Sequence, residues 1–402
     1  MTSYIKKVVT YLLNKFVIII LGVLVPFVLI FKKYKNFCFG EIYALRIGHL
    51  CSSVEIFIRE NEINTSKEKL LYFIYSVKPI SNKFLLNLYI RKLKLLHNMK
   101  ILKGYLFWKY LSKSYEFWTG DKILKLIHTD RKKFDVYINK PSILSFSEHE
   151  KEKALQNLSE FGINKDSKWV CVHNRDSAYL NWALPKNDWS YHDYRDWSIK
   201  DIKLASEYFV KKGYFVIRIG KKTNEKMESS NPKIIDYINS KQRNDFNDIF
   251  LLSNCDFYFG SACGISLVPL IFRKPVFRVN SCPIEGVFVH RYRDPATFKR
   301  ILDLETKKIL TIKEAVNRKL FHLFKNEQYK KNKIKLVDNT QSEILAFAIE
   351  AESRVNQKWK SDSDFKERSK NFSNEISKDS VIKEMYYTNP IAQEFLRNTQ
   401  IN

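Results

Sequence analysis

The six cysteines of this 402-residue chain, Cys38, Cys51, Cys171, Cys255, Cys263 and Cys282, contain no C-x-x-C pair. That spacing excludes a zinc knuckle and argues against a disulfide framework, so a reducing compartment is expected for the folded part. No G-x-x-x-x-G-K-[ST] occurs, which removes the P-loop class. The one small-residue turn of promising shape, G-S-A-C-G at 260–264, has Ala262 at its centre where a nucleophile elbow needs Ser or Cys. Zinc-finger, RNA-recognition and helix-turn-helix signatures are missing as well. Asp362 and Asp364 form D-x-D in a polar tail with no strand before them, so no metal site is expected. Near the amino terminus a hydrophobic run is followed by F-K-K-Y-K-N-F, which offers no small-residue cleavage site for a secretory signal.

What is present is an apolar, aromatic and basic chain. With 45% hydrophobic and 14% aromatic residues it has a globular composition and the length for two cores. The net charge is +26, and between Lys78 and Lys133 fourteen Lys or Arg stand against three acids. Without any nucleic-acid signature, this excess points to an anionic membrane surface as the partner and not to nucleic acid. From Phe16 to Phe31 the chain carries no charge, with Lys6, Lys7 and Lys15 before this stretch and Lys32, Lys33 and Lys35 after it. Sixteen residues are short for a spanning helix and Pro26 would kink one, so a membrane anchor that spans or re-enters is predicted, its basic flanks meeting headgroups.

Downstream, strand and helix patterns alternate. The first strand is predicted at Ile42 to Ile47, a turn at Gly48 and His49, and a helix from Ser53 to Arg59. A strand at 70–77 and a helix at 84–96 continue an amino-terminal Rossmann-like domain, and residues 100–140 favour helices over strands. Ser147 and Glu150 make a capping box that opens a hinge helix ending at Gly162. A second Rossmann-like domain begins with the strand Trp169 to Val172 and the polar loop His173–Asp176. An aromatic insert from Trp182 to Trp197 follows, then a helix at 199–212, an apolar strand Tyr214 to Ile219, and a helix at 248–253. Last comes a βαβ crossover: strand Phe257 to Phe259, turn Gly260 to Gly264, buried helix Ile265 to Phe272 and strand Val276 to Asn280. An α/β protein with parallel sheets covered on both faces is expected. The predicted segments are 1–35 (membrane-associated), 36–162 (first domain), 163–310 (second domain) and 311–402 (terminal helices and polar tail).

Ligands of such sheets sit at the carboxyl ends of strands, where helix-start N–H groups face outward. Gly260, Ser261 and Gly264 are therefore candidates for holding a phosphate, unless the two glycines serve only close packing. Arg175 and Arg218, charges at strand ends, each need an anion, either a bound phosphate or an internal carboxylate such as Asp176 or Asp236. His49 has the ordinary pKa of a general base and Glu55 lies on the helix behind it.

Taken in order, R-I-G-H-L, V-H-N-R-D-S-A-Y-L, D-Y-R-D-W-S-I, G-Y-F-V-I-R-I-G, I-I-D-Y, C-D-F-Y-F-G-S-A-C-G and K-P-V-F-R-V-N resemble a family of glycosyltransferases encoded in bacterial surface-polysaccharide loci, and more distantly the fucosyltransferase-like enzymes. The resemblance runs from about Arg46 to the helix near Ala351. It implies a GT-B fold, two Rossmann-like domains facing a cleft, working at the cytoplasmic face of the inner membrane. It implies a nucleotide-sugar donor, a lipid-linked or surface glycan acceptor, and neither metal nor cofactor. In the fucosyltransferase-like enzymes an arginine of H-x-R holds the nucleotide diphosphate. His173 and Arg175 have that spacing, while Asp176 replaces the second arginine that often follows. Gly220 is a further donor-phosphate candidate, and Gly48, Asn174, Tyr179, Tyr194, Arg195 and Asn280, with His173, Asp176 and Asp236, are the other cleft candidates. A non-catalytic scaffold of polysaccharide assembly, or another GT-B-like transferase such as a pyruvyltransferase, are the competing readings.

Overall fold

The computed structural model describes residues 2–63, 70–126, 140–284, 294–379 and 391–401. The chain forms two compact units, 1–145 and 146–402, each built on its own parallel sheet.

In the first unit β1 (Phe37–Ile42), β2 (Leu71–Ser76), β3 (Met99–Ile101) and β4 (Leu124–Leu126) lie in the order β3-β2-β1-β4, every pairing parallel. β1 starts five residues earlier than predicted, and Ile42 is its last residue, not its first. Gly40 and Glu41 break the apolar run and hid the strand from its sequence. β1 is central, and Gly40 lies close against β2: a Cβ there would come 2.6 Å from Ile74 Cδ1, the movable end of that side chain. Ala44 N donates to Ile42 O (3.0 Å), which closes the turn at 43–46 and starts a long helix, Ile47–Ile63.

Helix α1 (Thr2–Ile20), a 3₁₀ turn (Leu21–Leu24) and α2 (Val25–Tyr34) run on from one another. This stretch contains the one helix among the described residues that is long and apolar enough to cross a membrane, Val8–Tyr34. It is not wholly separate from the unit that follows. Val25 is buried with Phe37, Phe39, Tyr115 and Ile123, Phe31 packs its ring on Phe37 and Phe73, and Lys32 Nζ donates to Tyr115 Oη at 2.9 Å.

The second unit has β5 (Trp169–His173), β6 (Phe215–Arg218), β7 (Ile234–Ile235), β8 (Phe257–Ser261), β9 (Val276–Ser281) and β10 (Ala296–Phe298) in the order β10-β9-β8-β5-β6-β7, again all parallel. Read outward from β5 this is the doubly wound order 3-2-1-4-5-6, with its reversal between β5 and β8. Trp169–Val172 of β5 and Phe257–Phe259 of β8 are apolar and buried, as strands covered on both faces are, and polar residues come only at their carboxyl ends. The rings of Phe209, Phe257, Phe259, Phe277 and Phe347 interlock at centroid distances of 5.3 to 6.1 Å and join the sheet to the helix Gln341–Val355. A separate antiparallel pair, β11 (Arg300–Asp303) and β12 (Ile334–Val337), flanks the sheet.

The capping box at Ser147 forms as predicted, its hydroxyl accepting from the N3 amide, and a second box at Thr340 opens the helix Gln341–Val355. The helix Glu148–Leu158, expected as a hinge, belongs to the second unit, where Asn157 Nδ2 donates to Asn247 Oδ1 (3.1 Å). The terminal helices also fold into that unit: Phe347, Ala348, Phe372 and Leu396 are part of its core.

Candidate functional site

The carboxyl ends of β5 and β8 meet at the point where the strand order reverses. His173 stands opposite Gly260, so the loops His173–Asp176 and Ser261–Gly264 leave the sheet side by side. Their approach is close enough to dictate one residue type. A Cβ at Gly260 would lie 2.1 Å from His173 O and 2.8 Å from its N, so Gly260 is a packing glycine inside the strand and not part of the turn.

Around this edge the sequence candidates divide by what already occupies them. Ser261 Oγ, buried, accepts from Arg175 N and from Trp197 Nε1, both at 2.7 Å. The Arg175 guanidinium, 8% exposed, is ion-paired with Asp196, and burial with the nearby Arg195 lowers its pKa to about 10. The internal carboxylate is thus Asp196, not Asp176 or Asp236. The short 3₁₀ helix Ser190–Arg195 folds the aromatic insert back over the end of β5, a long-range approach that no local pattern announces.

Arg218 is fully buried, and both its terminal nitrogens are taken up internally, while Nε is buried without a hydrogen-bond partner. Nη1 reaches Glu225 O (2.6 Å) and Asp236 Oδ1 (3.4 Å), and Nη2 reaches Asn174 Oδ1 (2.9 Å) and Thr223 Oγ1 (2.7 Å). Burial lowers its pKa against the opposing pull of Asp236 and Asp176. Arg218 is therefore a strut binding β6 to the loops at 174–176 and 223–225, with Asp236 as the carboxylate expected of it. Asp176 is equally engaged, accepting from Ala178 N, Thr223 Oγ1 and Asn224 N. Gly220 has φ +158° and faces Ile238 and His173. Asn280 sits on β9 at φ +51° with Oδ1 accepting from Asn339 N (2.7 Å), a structural use of an asparagine's tolerance for left-handed backbone. Tyr179 packs near Trp182, and the Tyr194 ring lies 4.9 Å from Tyr329, with burial raising its hydroxyl to about 12.

The charge best placed on the turn is Arg195. It is partly exposed, and one guanidinium nitrogen, Nη2, donates to Ala262 O at 2.5 Å, which sets the side chain beside Ala262–Gly264. The helix after the turn is shorter than expected: Gly264–Ser266 is one 3₁₀ turn and Leu267–Ile271 only five residues of α-helix, with Pro269 inside it. So short a helix carries little of the dipole the sequence reading relied on, and charge at this edge comes chiefly from side chains. Asp196, Trp197, Thr223, Glu225 and Cys263 were missed. The only sequence cue was the density of Asp and Trp in the insert.

In the first unit Gly48 and His49 lie in the first turn of the helix Ile47–Ile63 and not in the loop before it. His49 is half-buried, edge-on to Tyr43 at 5.3 Å, and burial together with Arg46 lowers its pKa. It remains close to the carboxyl end of β1, at the reversal of strand order between β1 and β4. Glu55 is fully buried and lies 3.5 Å from Arg59. Asp362 of the D-x-D pair is held by Arg368 and Arg397.

No protein-family model matches the chain, and no curated protein matches it in sequence. Among solved structures it is similar to the glycosyl transferase family 9 protein from Veillonella parvula DSM 2008, at 12% identity and TM-score 0.44, over 81% of this chain and 98% of that one. It is also similar to TibC, a bacterial iron-containing dodecameric glycosyltransferase from enterotoxigenic E. coli H10407, at 11% identity and TM-score 0.32, over 63% of this chain and 60% of that one. Likenesses this remote decide neither fold nor chemistry, which rest on the chain's own residues.

Proposed function

We propose that the protein is a glycosyltransferase of the GT-B type, moving a sugar from a nucleotide-sugar donor to a lipid-linked or surface glycan at the cytoplasmic face of the inner membrane. The observation that carries this reading is the second unit's doubly wound sheet with Arg195 on the turn at its reversal point, the position where such sheets take nucleotide phosphates. Arg195 opposes the departing diphosphate, and no metal is assigned to that task. His49, kept neutral by its surroundings, takes the proton of the acceptor hydroxyl.

Membrane association is supported by two features of the first unit. Along Val8–Tyr34 large apolar side chains are exposed, and the helix Tyr105–Thr119 adds Leu106, Phe107, Phe117 and Trp118, exposed beside Lys109 and Lys113. Apolar and aromatic groups flanked by lysines suit the interface of an anionic bilayer.

Nucleoside diphosphates should raise the melting temperature, because they bind the native state alone. Arg195→Ala should weaken that binding by about 1.5–3 kcal/mol, the range for a charged hydrogen bond, with the unliganded melting temperature nearly unchanged. Absence of stabilisation by every nucleoside diphosphate would leave the scaffold reading.

A further inference from the structure

The geometry points to Cys263 and His173 as a reactive thiol pair, a modification site at which Cys263 exchanges with a low-molecular-weight disulfide. The inference stands on the second unit alone and makes no use of sugar transfer. Cys263 lies on the turn after β8, beside the last residue of β5. His173 Nδ1 is within 2.9 Å of Ile219 O, and a carbonyl can only accept, so Nδ1 carries the proton and Nε2 is left for another partner. That partner is the Cys263 thiol, which hydrogen-bonds the imidazole and also receives the N–H of Ile265. The backbone under the sulfur is fixed, since Ser266 Oγ donates to Cys263 O at 2.7 Å and lies 3.3 Å from Cys263 N.

The charged groups facing the thiol are His173 from β5, Arg195 from the folded-back insert and, farther round, Arg175 with its carboxylate partner Asp196. This is an electropositive setting of the kind that favours thiolate. Burial alone would raise the Cys263 pKa, but His173, Arg195 and the Ile265 N–H together outweigh it and bring the value to about 7. The imidazole is correspondingly held above its ordinary value, against the effect of burial. By contrast the Cys38, Cys51, Cys171 and Cys282 thiols are all pushed up, in each case first by burial. Cys263 is partly exposed, whereas Cys51, Cys171, Cys255 and Cys282 are buried. A thiol titrating near ambient pH also combines thiolate population with nucleophilicity.

In the step, the Cys263 thiolate attacks one sulfur of the disulfide. The new Sγ–S bond forms as the old S–S bond breaks, and the leaving thiolate takes the proton held by His173. The products are a mixed disulfide and one free thiol, and excess thiol reverses the exchange.

The test is alkylation of the full-length native protein by iodoacetamide across pH 5.5 to 9.5, with each cysteine followed by mass spectrometry. At pH 7 Cys263 should react at least ~10-fold faster than Cys38, the other partly exposed thiol, with a rate rising through an apparent pKa near 7. His173→Gln should move that rise to higher pH while leaving the Cys38 rate alone, and glutathione disulfide should label Cys263 before any other cysteine. If His173→Gln fails to fold, the native pH profile and the glutathione labelling decide. Alkylation of Cys263 no faster than Cys38, or a folded His173→Gln variant with an unshifted profile, overturns the pair.

Discussion

Arg175 and His49 show how single side chains depend on neighbours distant in sequence. Arg175 follows β5 where an anion-binding arginine would stand, yet its guanidinium is paired with Asp196 and its amide with Ser261. Arg175→Ala should therefore be a stability mutation. Removing one member of a buried ion pair costs about 3–5 kcal/mol, and the lower end applies because the Asp196 side chain keeps 23% of its surface exposed. Thermal melting checks this: a variant with unchanged melting temperature and weakened nucleotide binding would return Arg175 to the phosphate. For His49 the sign follows from burial. Its folded pKa lies below the ordinary imidazole value, so the neutral form persists to lower pH. If it is the base, kcat/KM should lose activity on an acid limb lying below the usual histidine range, and His49→Ala should lower turnover by roughly 10²-fold with donor affinity kept. An unaltered acid limb in an active His49→Ala enzyme would reduce His49 to a helix residue.

At the scale of elements, the decisive contact is strand against strand. β5 and β8 approach so closely at His173 and Gly260 that no side chain fits between them. Gly260→Ala should cost at least ~1–3 kcal/mol, the range for overpacking, because the obstructing atoms are backbone and cannot rotate aside. Denaturant unfolding measures this, and an Ala variant of unchanged midpoint would mean that the two strands separate freely. The same contact holds the loops 173–176 and 261–264 together, so the variant should also slow Cys263 alkylation relative to wild type.

For the whole molecule, the amino-terminal helix has two roles along its length. Apolar side chains are exposed from Ile5 to Tyr34, while Val25 is buried in the core of the first unit and Phe31 and Lys32 rest on its Phe37, Phe73 and Tyr115. Removing residues 2–19 should make the protein partly releasable from membranes by high salt or carbonate while the melting temperature stays close to that of the full chain. Removing residues 1–35 should release it too, but with a lowered melting temperature, because Phe37, Phe73 and Tyr115 lose their cover. Equal melting temperatures for the two truncations would show that α2 is only an anchor.

Period and cap determined most elements from the sequence alone. Apolar runs of strand length located β2, β5, β6, β8 and β9, and the capping box at Ser147 located its helix, because both signals are local. β1 escaped because Gly40 and Glu41 interrupt its pattern, and their tolerance comes from the neighbouring strand. The candidate site divides in the same way. Its position at the ends of β5 and β8 was legible from strand-turn chemistry, but which arginine is saturated and which faces the turn was not. That depends on Asp196 folding back onto Arg175, Asn174 and Thr223 closing on Arg218, and His173 meeting Cys263. Charges of like type at like positions are distinguished only by the partners that tertiary packing brings within hydrogen-bonding distance, since a guanidinium already desolvated and paired has few donors left for a ligand.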